Sequence, residues 1–350
     1  MKPERRQHDF RFPVVKCSLL FDLRSSAFIC GFILLALAGC DRRDDAQRVM
    51  LYTSIDQPVA KRVIERFEQQ TGVRVELVTD TEATKSVGLA ERLRAERDRP
   101  RAHVWWGNEP FHTINLAAEG LLIAYESPSA ADVPAQFKDP EHRWVGNGLR
   151  ARVIAVHESV GLTIARLEDL LGPELRGRVA MARPTAGTTG GHVAALYVLW
   201  GEEKADQFFR DLRGNGIRLL GGNGPVAEEV GRGTMLAGLT DNDDIHAARR
   251  GGGQLRMVLP NQEDIGTLMV PTTVALVDGA ENSEAAMKLV DYLLSAEVEQ
   301  ELLSADFVAW SIRDSSGEYV PMRVDYTEVA RTLPTAVRRA TAILEGRDQR

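Results

Sequence analysis

Cysteine is nearly missing from this chain of 350 residues. There are three, Cys17, Cys30 and Cys40, and all fall within the first forty positions. The body that follows has no thiol for catalysis, no cysteine metal site and no disulfide, so its stability rests on core packing. Long hydrophobic runs are also lacking. The most apolar stretch lies within SSAFICGFILLALAGC and spans roughly a dozen residues, short of the about 20 that a lone membrane-crossing helix needs. Positive charge is in deficit, with 43 Lys and Arg against 50 Asp and Glu and a net charge of −7. The first 39 residues carry six basic and three acidic side chains, so the remainder is more acidic still. Such a body is a poor partner for nucleic acid, where affinity comes mostly from Lys and Arg on phosphates. The seven histidines show no zinc spacing, and no nucleophile-elbow sequence appears.

The N-terminal segment is what the chain does have. Basic residues end at Arg24, the apolar run follows, and Leu37-Ala38-Gly39-Cys40 precedes the charged DRRDDAQR. This resembles the bacterial lipoprotein signal, in which Cys40 is acylated and becomes the first mature residue. Residues 1–39 are therefore read as a leader and 40–48 as a linker, with the protein in the periplasm, held to a membrane by lipid on Cys40.

Beyond the linker, β-prone and helical stretches alternate: RVMLYTSID, VAKRVIERFEQQTG, VRVELVTD, HVWWGNEP, FHTINLAAEGLL and onward to the C-terminus. In the first helix Val59, Val63, Ile64 and Phe67 form one stripe that Gly72 ends. Short loops between alternating elements predict α/β architecture with mainly parallel sheets. RARVIAVHES and GTLMVPTTVALV are long and apolar and bracket a series of βα units, so both are read as strands crossing between lobes. The expected fold is two-lobed, with 49–151 plus 268–312 as one lobe, 152–267 as the other, and 313–350 as C-terminal helices packing back.

In such sheets ligands sit at the carboxyl ends of strands, which singles out TSIDQP, WGNEPF, RPTAGTTGGH, GGNGPV and TDNDDIH. RPTAGTTGGH combines glycines, the hydroxyls of Thr185, Thr188 and Thr189, and a following helix N-terminus; with Gly187 in the loop it suits an anion. Asp241, Asp243 and Asp244 crowd one strand end, where adjacent carboxylates need a cation or must partly protonate. That cation could be a hard metal or an ammonium. The plainer reading of the same acids is a turn in which Asp241 or Asp244 caps the next helix. Arg150 and Arg152 flank the first crossover and could pair with acids or with an anion. GGNGPVA comes near the dinucleotide fingerprint, but Pro225 occupies its tight turn and the chain is exported, so Asn223 is read as a solute contact instead.

FEQQTGVRVELV, AEGLL after VWWGNEPF, LEDLLGPELRGRVAMARPTAGTTG and AEEVGRGTMLAGLTDNDD occur in an order that resembles the ferric-ion-binding group of bacterial ABC-importer substrate-binding proteins. The resemblance implies two α/β lobes that close on a solute, docking on a permease with its ATPase, and no covalent chemistry. It also implies that Asp243 and Asp244 stand where iron binders carry two tyrosines, and Asp56 where several carry a histidine. Asn108 aligns with a glutamate ligand, with Glu109 one residue on, and PTAGTTGG matches the anion loop.

The expected function is a substrate-binding lipoprotein of an ABC importer, a monomer without a resident cofactor. Its ligand set would be Asp56, Asn108, Glu109, Thr185, Gly187, Thr188, Thr189, Asn223, Asp241, Asp243 and Asp244, with Asp243 and Asp244 as metal ligands if an ion is carried. The solute would be a metal ion with its anion, or an amine-bearing phosphonate or phosphate. The alternatives are an exported metal-dependent α/β enzyme and a solute sensor partnering a receptor.

Overall fold

A computed structural model of the protein describes residues 48–80, 86–185, 187–279, 283–314 and 317–348. The leader, Cys40 and Ala186 lie outside the described residues. The chain begins with β1 (Arg48–Thr53), α1 (Gln57–Thr71) and β2 (Arg74–Thr79). Helix α1 forms where its sequence signals it. Pro58 occupies the first turn, Ala60, Val63, Ile64 and Phe67 are buried along one stripe, and Gly72 closes the helix at φ 72°, a left-handed angle that glycine adopts without strain. There follow α2 (Val87–Ala95), β3 (Val104–Gly107), α3 (Pro110–Ala118), β4 (Leu122–Ile123) and the long β5 (Val145–His157). The next units are β6 (Val179–Ala182), α4 (Gly187–Gly214), β7 (Arg218–Leu220), α5 (Asn223–Gly231), β8 (Ala237–Asp241), α6 (Asn242–Arg250) and β9 (Leu255–Val258). The chain ends with β10 (Met269–Val277), α7 (Ser283–Leu293), α8 (Ala296–Ser304) and α9 (Tyr326–Leu344).

Two stretches differ from their sequence reading. IARLEDLLGPELRG, whose apolar spacing reads as one helix, forms two short 3-10 turns, Leu167–Leu171 and Pro173–Leu175. Pro173 has no N–H to continue a helical ladder, so the segment restarts there. The predicted helix after RPTAGTTGG runs on to Gly214, bending at Gly201 (φ 75°, ψ 169°).

The sheet order is β2-β1-β3-β10-β5-β8-β6-β7. Its flanks are parallel, as expected: β1 pairs with β2 and β3, and β6 with β7 and β8. Its middle is antiparallel, because β5 and β10 run back against β3 and β8. Strand β5 carries the crossing. Up to Ala151 it pairs with β10, and from Arg152 onward with β8 and β9. The GTLMVPTTVALV strand, also expected to cross, pairs with β3, β4 and β5 over Met269–Val277.

Period-two alternation divides the core between the two sheet faces. Trp105 and Trp106 are both fully buried, but Trp105 joins the cluster of Phe111, Leu196 and Leu333, whereas Trp106 joins that of Phe67, Leu289 and Phe307. Each such large apolar side chain stabilises by roughly 1.5–3 kcal/mol on burial. Helix α3 meets α4 at a point where only glycine fits: a Cβ on Gly191 would stand 2.1 Å from Phe111 Cε2. Helix α9 packs on both. Asn115 Nδ2 donates to the Ala330 carbonyl (3.0 Å), and Arg339 grips Asp206 of α4 at 2.7 and 2.6 Å. Among the described residues no helix is long and apolar enough to cross a membrane.

Candidate ligand-binding site

Residues two apart on a strand share a face, so β5 presents Arg150 and Arg152 together, each 1% exposed. They lie either side of Ala151, where β5 changes partners. Opposite them β8 ends on Asp241, and Asp243 stands in the first turn of α6. Arg150 Nη2 donates to Asp241 Oδ2 (3.0 Å) and to both oxygens of Asp243 (2.6 and 2.8 Å). Its Nη1 donates to the carbonyl of Asn108 (3.2 Å), at the end of β3. Arg152 Nη1 donates to Asp241 Oδ1 (2.7 Å) and to Thr188 Oγ1 (3.2 Å). The Ala151 N–H between them donates to Asn242 Oδ1 (2.8 Å).

Thr188 opens α4 and completes the ring. Its hydroxyl donates to Asp241 Oδ2 (2.6 Å) and accepts from Asn223 Nδ2 (3.1 Å). The same Asn223 amide also donates to Asp241 Oδ2 (3.2 Å), and Thr189 Oγ1 donates to Asn223 Oδ1 (2.9 Å). A hydroxyl offers one donor and two acceptor positions, so Thr188 is saturated within the protein. Burial favours the neutral acid at Asp241, but the Arg152 and Arg150 guanidinia and the Thr188 hydroxyl outweigh it and hold its pKa at about 2. His192, one turn after Thr188 on α4, is pushed down to about 3 by burial and by the charge of Arg152, and so stays neutral.

The acids of the DNDD run thus have several roles. Asp241 and Asp243 are buried against two guanidinia. Asp244, half-buried, accepts from Thr240 Oγ1 (3.0 Å) and from the Asp241 N–H (3.4 Å), capping α6. One carboxylate oxygen from each of the three lies within 4.8 Å of the others, a spacing a cation could use, but Arg150 already supplies the charge between Asp241 and Asp243.

Asn108 is buried, and its Oδ1 accepts from Ser54 Oγ (3.0 Å) and Ser86 Oγ (2.6 Å). Glu109 is fully buried as the cap of α3, accepting from the Phe111 N–H (2.7 Å) and bonded to His112 Nδ1 (2.9 Å). Asp56 heads α1 and lies outside the three-carboxylate group. Thr185 and Gly187 line a separate cavity of about 390 Å³ beside His112, Glu119, Leu333 and Val337. Sequence reasoning left out Ser54, Ser86 and His192. It noted both arginines without placing them in the site, although an Arg-x-Arg pair inside an apolar strand is a usable signal, since buried charges must be paired.

The model of the family described as bacterial extracellular solute-binding protein matches residues 48–307. The chain belongs to that family. This solute-binding protein is 26% identical over 284 residues to the major ferric iron-binding protein of Neisseria meningitidis, covering 77% of this chain and 83% of that one. It is 23% identical over 291 residues to a putative 2-aminoethylphosphonate-binding periplasmic protein of Salmonella typhimurium, covering 80% and 77%. Its fold matches the ferric binding protein from Campylobacter jejuni with a TM-score of 0.75 at 21% identity, over 86% of this chain and all of that one. Helix α9 of the solute-binding protein lies beyond the matched residues.

The neutral His192 gives a test of the site's burial. In the unfolded chain it takes up a proton near pH 6.5, whereas in the folded protein it does so near 3. Stability is therefore complete above about 6.5 and falls as the pH drops, with a slope approaching about 1.4 kcal/mol per pH unit. His246 is lowered too, chiefly by burial, and adds to the same window. Urea unfolding between pH 7 and 5 should show a shallower loss for His192→Gln than for the parent; equal slopes would contradict a buried neutral imidazole.

Proposed function

We propose that the protein is the substrate-binding subunit of an ABC importer, exported, lipid-anchored through Cys40 and monomeric, and that it captures a small solute between two lobes without altering it. Residues 49–151 with 268–312 form one lobe and 152–267 the other, with 313–350 packing back. The observation that carries this reading is Arg150. From the crossing strand it holds the Asn108 carbonyl at the end of β3 and the carboxylates of Asp241 and Asp243 at the end of β8. The change of pairing partners at Ala151 and Arg152 fits the proposed boundary.

Relatives named for ferric iron and for 2-aminoethylphosphonate frame the solute as a metal ion with its anion or an amine-bearing phosphonate or phosphate. The proposed ligand-facing residues are Arg150 and Arg152, with Asn108, Thr188, Asn223, Asp241 and Asp243 holding them in place. Lobe closure on the solute is the step that a permease with its ATPase would read.

Thermal unfolding of the purified protein with a panel of phosphonates, sugar phosphates, amino acids and ferric salts tests the reading. A true solute at 100 times its dissociation constant adds about 2.7 kcal/mol of stability and is recovered unchanged by mass spectrometry. A panel without any stabilising member, or a solute recovered as product, would contradict it. For the anchor, Cys40→Ser should move the protein from the membrane to the soluble fraction; unchanged partitioning would count against lipidation.

A further inference from the structure

Helix α9 lies beyond the residues that match the family model, and two parts of the chain that the lobe assignment separates both hold it. Its C-terminal half is fastened to α4. Arg339 Nε and Nη2 donate to the two oxygens of Asp206 (2.7 and 2.6 Å), Arg339 Nη1 donates to Glu202 (2.7 Å), and Arg213 Nη1 donates to the Ile343 carbonyl (2.7 Å). Near the start of α4, Gly190 lets Val337 and Leu333 approach: a Cβ there would stand 3.3 and 3.4 Å from their side chains.

The N-terminal half of α9 is attached elsewhere. Tyr326 Oη donates to the Met269 carbonyl at the start of β10 (2.9 Å), and its ring meets Phe111 of α3 edge-on, with centroids 5.9 Å apart. Asn115 Nδ2 of α3 donates to the Ala330 carbonyl (3.0 Å). Beside that bond lies the cavity of about 390 Å³, walled by His112 and Asn115 of α3 and by Leu333 and Val337 of α9. The packing on α3 is therefore incomplete, whereas the contact with α4 is ion-paired and close.

Pro334 is the reason the Ala330 carbonyl is available. In an α-helix that carbonyl would accept from the N–H four residues on. Pro334 stands at that place, inside α9, and has no N–H. Ala330 is fully buried, and a buried carbonyl without a donor is costly. Asn115 supplies the missing donor from another helix.

Resting on the two-lobe reading, we propose that α9 is a latch between the lobes. It moves with the 152–267 lobe, to which Arg339 and Arg213 fasten it. It docks on α3 of the other lobe through the carbonyl that Pro334 leaves open, and so favours the closed form. Parting the lobes breaks the Asn115–Ala330 bond and widens the cavity beside it, while Tyr326 at β10 serves as the pivot. The latch sets the balance of open and closed forms and, through it, the apparent affinity for solute.

The body of the chain has no cysteine, so a pair can be introduced for spin labels. In the full mature chain carrying Cys40→Ser, the exposed positions Gln69→Cys on α1 and Glu228→Cys on α5 report the distance between the lobes by pulsed electron resonance. Without solute, the parent is expected to give mainly the short distance. Asn115→Ala and Pro334→Ala should each raise the share of the long distance by roughly three- to tenfold, the worth of one hydrogen bond. Pro334→Ala also removes a proline from a helix interior, so it should raise the unfolding midpoint while it opens the lobes. Because the helix then satisfies the carbonyl itself, adding Pro334→Ala to Asn115→Ala should reverse part of the opening that Asn115→Ala causes. A parent already at the long distance, unchanged distances in both single variants, or a double variant as open as the two effects summed would overturn the proposal. If a stabilising solute from the panel shortens the distance but neither variant lengthens it, the latch fails alone. If neither solute nor variant alters the distance, the two-lobe capture reading fails with it.

Discussion

The contact between the buried Arg150 guanidinium and the carboxylates of Asp241 and Asp243 is the constraint that organises this molecule. Arg150 sits on the strand shared by the two parts of the sheet, 91 residues from Asp241 and 93 from Asp243. Its other nitrogen reaches Asn108 on the opposite side of the crossing. A buried ion pair contributes little net stability compared with apolar packing, but removing one member leaves an uncompensated charge at a cost of roughly 3–5 kcal/mol. The site's geometry is therefore tightly held: β5, β8 and α6 have to arrive together for the charges to balance, and β3 and α4 add hydrogen bonds to the same arginines. The cation–π contact of Arg150 with Phe307, 5.0 Å from the guanidinium carbon to the ring centroid, ties the segment after α8 to the same point.

This balance changes what the acidic run means. Three carboxylates at one strand end suggest a cation site, and their oxygens are close enough for one. The charge they face comes from the chain itself, through β5, and Asp244 is drawn into capping α6. Thr188 and Asn223, which sequence reasoning assigns to solute contact, spend their hydrogen bonds on holding Asp241 in place. In this arrangement the threonines and acids set the position of the arginines, and among the described residues the arginines have unused donors at Arg150 Nε, Arg152 Nε and Arg152 Nη2.

Much of the fold was legible in the sequence because it rests on local rules. The apolar stripe of α1 and its glycine cap, the parallel flanks and the loops at strand ends all follow from periodicity and from Gly and Pro placement. Trp105 and Trp106 fell to opposite faces as strand alternation requires, each into apolar core. What local pattern could not supply was partnership across long sequence separations. Arg150 and Arg152 were legible as charged residues beside a crossing strand, but their alignment with Asp241 depends on the register between β5 and β8. Glu109 illustrates the same limit: it adjoins a position that binds metal in the resembled family, yet its carboxylate is engaged by the first turn of α3 and by His112. The break of IARLEDLLGPELRG into two turns could have been read from Pro173.

The most direct test of the charge-balanced cluster is a crystal structure of the protein purified without refolding and soaked with a ferric salt. Electron density with the Arg150 bonds to Asp241 and Asp243 intact and no metal ion between these carboxylates is the predicted result. A metal ion coordinated by Asp243 and Asp244, with Arg150 swung away from them, would contradict the account.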